Sequence, residues 1–84
     1  MALGAASAAA SAGPAATAAA SSLVRLLQDA EPSVRVQAAY ALGMLGPAAR
    51  DAVPELRRLL QDPHHRVRWQ AGVAIRQVEG DVPT

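Results

Sequence analysis

From Ser22 onward the apolar side chains fall at helical spacing. Leu23, Leu26, Leu27 and Ala30 follow i, i+3, i+4, i+7. Val34, Ala38, Ala41, Leu42 and Leu45 form a second stripe, and Val53, Leu56, Leu59 and Leu60 a third. Val67, Ala71, Ala74, Ile75 and Val78 form a fourth, with the spacing of the second. Each stripe is wide enough to bury one helix face, and no stretch alternates with period two for long enough to predict a strand. The punctuation agrees. Asp29 to Ser33 separates the first helix from the second, with Pro32 or Ser33 at the start of the latter. Gly46 and Pro47 close the second helix. Asp51 is the expected N-cap of the third, whose first turn tolerates Pro54 because N–H groups there have no intrahelical acceptor. Asp62 to His65 repeats the first break, and Gly80 ends the fourth helix. The chain reads as two helical hairpins, A1–B1 and A2–B2, in which the small residues Ala38, Ala41, Ala71 and Ala74 permit close helix approach.

The two hairpins are copies of each other. Leu26-Leu27-Gln28-Asp29 returns 33 positions later as Leu59-Leu60-Gln61-Asp62, and Val34-Arg35 returns as Val67-Arg68. Gln37 and Ala38 return as Gln70 and Ala71, Ala41 as Ala74, and Leu42 as Ile75. A fixed period in the thirties marks a stacked array of one supersecondary unit. Arrays of this kind bind other molecules more often than they do chemistry.

Composition changes the picture at the N-terminus. Residues 1–22 are almost entirely Ala, Ser, Gly, Thr and Pro, so about sixty residues must supply the core. The stretch lacks the basic n-region and apolar h-region of a secretory signal. Ser7, Ser11, Gly13 and Pro14 interrupt it as a membrane span. It is Ser-rich and acid-poor like a transit peptide but lacks the arginines. A low-complexity flexible tail over 1–21 is the plainer expectation, with a transit peptide as the alternative. Ala15 to Ala20 could extend the first helix backward, with Pro14 marking its limit. The expected units are repeats at 22–46 and 51–80 and a short tail at 81–84. The net charge is +1, from eight Arg and seven acids, all at Arg25 or beyond. That balance is not the footprint of a dedicated nucleic-acid binder. With no cysteine, disulfides and thiolate metal sites are excluded. The cytoplasm is the expected compartment and an organelle the alternative; no membrane association is expected.

The segment from Asp29 to Gly72 resembles HEAT repeats. It is most similar to the short HEAT-like subgroup first described in phycobilisome lyases, whose pattern is L-x-x-L-L-x-D, a turn, V-R, then A-A-x-A-L-G-x-[IL]-G. The chain carries Asp29, Val34-Arg35, Ala38-Ala39, Ala41-Leu42-Gly43 and Leu45-Gly46, then Asp62, Val67-Arg68, Ala71, Ala74 and Ile75. The second copy departs at Gly72, Arg76 and Glu79, which suits a terminal repeat. The resemblance implies an all-α fold, a short α-solenoid of two antiparallel hairpins. It further implies a ladder of Asp29, Arg35, Asp62 and Arg68, in which Asp and Arg of neighbouring repeats stack. Chemically, a turn carboxylate can accept from turn N–H groups and from a helix-B guanidinium. Anion binding by Arg35 and Arg68 is the functional alternative.

The two aromatics, Tyr40 and Trp69, lie off the core stripes. Val36, Tyr40, Met44, Trp69 and Val73 would share the outer face of the B helices, edged by Gln37, Gln70, Arg76 and Gln77. In a solenoid of the HEAT type that face is concave. Its composition suits a partner-binding surface; alternatively these residues pack on one another or on the Ala-rich tail. His64 and His65 diverge at a helix start and have no third ligand, so no metal is expected. There is no His-Glu dipeptide of the kind used by HEAT-like di-iron hydroxylases. Arg35, Arg68 and Arg76 offer too few phosphate contacts to support DNA binding. Arg57 and Arg58 should be solvated beside Glu55. No nucleophile, paired carboxylates or phosphate loop can be argued, so neither catalysis nor a cofactor is expected. The expected function is protein binding or scaffolding through the B-helix face. The alternatives are an accessory subunit of a bilin-lyase-like or other modifying enzyme and, more weakly, nucleic-acid binding. The partner would be another protein or further repeats. Two repeats are fewer than the roughly three of a self-sufficient array, so the far sides of A1 and B2 should be sticky and allow self-association.

Overall fold

The computed structural model describes residue 15 and residues 17–80, and these are helical throughout apart from short turns. Helix α1 covers 17–26, α2 Pro32–Leu45, α3 Val53–Arg58 and α4 His65–Glu79. Short 3-10 segments fill Gly46–Ala52 and Leu59–Gln61. Helix α1 therefore begins within the Ala-rich stretch, as Ala propensity allows. The remainder of the expected tail, and residues 81–84, lie outside the described residues.

The two A helices end alike. Asp29 N–H donates to the Leu26 carbonyl, and Asp62 N–H to the Leu59 carbonyl, each over 3.1 Å. This i→i+3 tightening closes each helix just before the turn aspartate. Each aspartate then folds its own turn. Asp29 Oδ1 accepts from the Glu31 N–H and Asp62 Oδ1 from the His64 N–H, both at 2.9 Å. Both B helices start without a side-chain cap; Pro32 lies in the first turn of α2. Their ends use positive-φ glycines, Gly46 at 64° and Gly80 at 70°.

The link between the repeats differs from expectation. It is not a loop ending in an Asp51 N-cap. Two short 3-10 stretches, joined at a kink, lead from Gly46 into α3, the N-cap position is Ala52, and Asp51 is exposed. The cause is Pro54. It has no N–H for the Arg50 carbonyl, and that carbonyl accepts from Val53 instead. The chain kinks at Ala49, and Ala49 and Ala52 pack into the core.

Helices α2 and α4 pack along each other, with α3 and both 3-10 segments against α4. The fully buried large side chains are Leu27, Leu42, Leu56, Val67 and Val78. On α4 the buried stripe is the expected one with Gln70 added. On α2 the buried residues are Ala38, Ala39, Leu42 and Gly43, while Val34, Ala41 and Leu45 are only half-buried. The stripe is rotated toward α4 because only that side of α2 has a B-helix neighbour. Helices α2 and α4 also come close there. A methyl group built on Gly43 would collide with Gln77 Oε1 and lie 3.1 Å from the Ala74 Cα. The described residues thus form a short helical-repeat solenoid of two hairpins.

Candidate functional site

The largest exposed apolar side chains on the B helices are Tyr40 and Met44 of α2 and Trp69 of α4, at 55%, 63% and 69% accessible. Tyr40 and Met44 are one helical repeat apart, four residues, so they project from one side of α2. Val36, one turn earlier, and Val73, one turn after Trp69, are half-buried, while Arg76 and Gln77 are exposed. Val36 and Trp69 line a common groove of about 360 Å³, together with His65, Arg66 and Gln70. A second groove of about 410 Å³ adjoins it, lined by Val36, Arg66 and His64 with the Glu31–Ser33 turn and Gln37.

Two points differ from the sequence expectation. Gln70 lines the groove but is buried, so it is not an exposed edge of the patch. The side chain of Gln77 reaches across Gly43 and so belongs partly to the α2–α4 seam. Arg66 and His65 were missed as groove residues. The signal was available, since they precede Trp69 by three and four positions on one helix face. Among the described residues no cluster of three or more His, Cys, Asp or Glu could hold a metal.

The ladder residues are divided. Arg35 and Asp62 pair across the repeats: Nε donates to Oδ2 at 2.8 Å and Nη2 to Oδ1 at 3.1 Å, a fork-to-fork pair with both side chains nearly buried. Arg35 Nη1 also donates to the carbonyls of Asp29 and Ala30, at 2.7 and 3.1 Å. Arg68 repeats that local pattern on Asp62 and Pro63, at 2.8 and 3.2 Å. Among the described residues no carboxylate pairs with Arg68 and no guanidinium with the Asp29 carboxylate. Burial alone would raise the Asp62 carboxyl. The Arg35 hydrogen bonds, the His64 N–H, and the charges of Arg35 and His64 outweigh it and hold the group below its ordinary value. With its guanidinium engaged in this way, Arg35 is not available to an anion. Arg58 pairs with Glu55 at 3.2 Å as expected, and Arg57 with Glu79 at 3.0 Å, both on the surface.

Paired helices, a carboxylate–guanidinium rung between them and a repeated turn define a helical-repeat protein of the α-solenoid class. The chain matches the family model for HEAT repeats over residues 20–83, about three quarters of its length. It belongs to the HEAT-repeat family. No curated protein and no solved structure matches it. HEAT repeats generally mediate protein–protein interaction and act as non-enzymatic scaffolds. No helix among the described residues is long and apolar enough to cross a membrane.

Proposed function

We propose that this chain is a non-catalytic interaction module whose protein partner lies along the outer face of α2 and α4. The observation that carries the proposal is Trp69, the most exposed large apolar side chain among the described residues, which lines a groove together with Val36. A solvent-exposed tryptophan next to an apolar hollow has the composition of a binding hot spot. Tyr40 and Met44 extend the apolar surface along α2, and Val73, Arg76 and Gln77 extend it along α4. Arg66 offers a cationic rim, so the partner segment should combine an apolar anchor with an acidic flank. The likeness to the phycobilisome-lyase subgroup rests on the turn, V-R and A-A-x-A-L-G motifs, which supply the turn, rung and packing residues of the stack. Neither an accessory role in a modifying enzyme nor nucleic-acid binding gains a specific observation.

The test is co-purification with wild-type chain, with Trp69→Ala, and with Arg57→Ala as a surface control. A partner is expected to be retained by wild type and control and lost with Trp69→Ala. Affinity should fall by about 2 kcal/mol, roughly thirtyfold, with helicity unchanged. Equal retention of every bound protein by Trp69→Ala would refute the site.

A further inference from the structure

Identical residues in the two copies sit in opposite surroundings. Leu27 is 1% accessible, whereas its copy Leu60 is 37%. Leu59 is 9% accessible, whereas its copy Leu26 is 42%. Leu27 and Leu59 line the junction of the repeats, beside Asp29, Arg35 and Asp62. Among the described residues, Leu60 has no repeat stacked over it on one side and Leu26 none on the other. The ladder shows the same polarity. Asp29 is held by the Glu31 N–H in the geometry that Asp62 takes with His64. Arg68 is held by two turn carbonyls as Arg35 is. Each end therefore presents one half of the Arg35–Asp62 rung, already oriented by its own turn, beside a leucine whose copy is buried at the junction.

We propose that the two ends are complementary halves of one interface, through which a second copy of this chain stacks head to tail. Arg68 of one protomer donates to the partner's Asp29, and Leu60 covers the partner's Leu26. The occupant is a second copy because the two ends supply opposite charges at equivalent positions. Such a contact is heterologous and has no built-in closure. Arg76 restrains it. It stands where α2 has Gly43, a point of close approach to α4. A long cation there holds the next α2 away and keeps the contact weak. This surface shares Arg76 with the outer face of α4 but none of the residues that line the Trp69 groove, so the Asp29, Arg68 and Trp69 variants test the two proposals separately.

Sedimentation of the wild-type chain, from low to high micromolar, is expected to show a weight-average mass that rises with concentration. Asp29→Arg and Arg68→Asp, each confirmed as folded by circular dichroism, should each remain monomeric. Each variant faces itself with like charges, yet keeps one native end. An equimolar mixture should therefore associate again. Arg76→Gly in the wild-type background should tighten association several-fold. A wild-type chain that is monomeric throughout would overturn the proposal. So would association that survives both charge reversals, a mixture that stays monomeric, or an Arg76→Gly variant no tighter than wild type.

Discussion

Replacing one aspartate in each copy separates the rung between repeats from the turn that carries it. Asp62→Asn and Asp29→Asn change the same atom in the same motif, and each keeps an oxygen for the turn N–H. At Asp62 the change also removes the charge and one acceptor of a fork-to-fork pair whose partners are nearly out of water. A hydrogen bond to a charged group contributes ~1.5–3 kcal/mol, and stranding one side of a buried ion pair costs ~3–5 kcal/mol. Arg35 lies at the rim and keeps two backbone acceptors. The loss should therefore fall low in those ranges, at about 2–3 kcal/mol. Asp29 has no guanidinium to lose among the described residues, and surface changes of that kind stay within about 0.5 kcal/mol. Total stability is roughly 0.05–0.15 kcal/mol per residue, so Asp62→Asn removes a large share of it. With a urea slope of about 1 kcal/mol/M for a small domain, the midpoint should drop by about 2 M for Asp62→Asn and hardly move for Asp29→Asn. Circular dichroism at low micromolar concentration, where a second copy cannot engage Asp29, is the assay. A cycle with Arg35→Gln should show at least about 1 kcal/mol of coupling to Asp62→Asn. Equal midpoints for the two aspartate variants, or no coupling, would mean that the rung contributes nothing beyond its turn.

The same carboxylate sets a pH response. Its folded pKa lies below the ordinary 3.8, so its contribution is complete above that value and is lost as pH falls through the folded pKa. Acidification below about pH 4 should lower the wild-type urea midpoint more steeply than that of Asp62→Asn; parallel acid limbs would contradict this. Gly43→Ala should destabilise by about 1 kcal/mol. Overpacking costs ~1–3 kcal/mol, and the better helix propensity of Ala returns ~1 kcal/mol. Gln77 can swing away from the new methyl, but the Ala74 backbone cannot. A thermal melt showing a stabilised variant would rule out the close seam.

Much of the architecture was legible because periodicity and punctuation point the same way. Four apolar stripes at helical spacing gave the four helices, and Gly46 and Gly80 ended two of them where expected. The Asp–Arg rung was legible only through family resemblance, because a spacing of six within one copy does not say that Arg35 reaches the other copy's Asp62. Other features depend on neighbours that a single stripe cannot encode. Nothing in Leu26-Leu27 or Leu59-Leu60 says which leucine of each pair is covered; the answer inverts between copies because it depends on which side of the stack is occupied. The rotation of the α2 stripe toward Ala39 and Gly43 has the same origin. Asp51 is not the cap for a local reason: Pro54 and the Ala-rich link favour a kinked 3-10 path that runs directly into α3. Gln70, expected at the edge of the patch, is buried, because on a helix it points about 100° away from the exposed Trp69.

The candidate groove follows from a mismatch of size between copies. A strictly repeated face would present equal side chains side by side and leave no step for a partner to fill. Here Val36 and Trp69 occupy equivalent positions and line one groove, so a small side chain faces an indole across the two copies. Arg66, on α4, and Pro32 and Gln37, on α2, carry the hollow toward the turn. Tyr40 against Val73 is an equivalent pair of unlike size further along the same helices, and Met44 against Gln77 one of unlike polarity. The large apolar member lies on α4 in the first pair of positions and on α2 in the next two. The apolar surface therefore crosses the helix pair diagonally instead of following either axis. A partner segment laid along that diagonal can reach Trp69, Tyr40 and Met44 in turn, whereas one aligned with α4 alone would pass from Trp69 to Arg76 and Gln77. The positions shared by the copies hold the stack in place, and the unshared ones give the surface its direction.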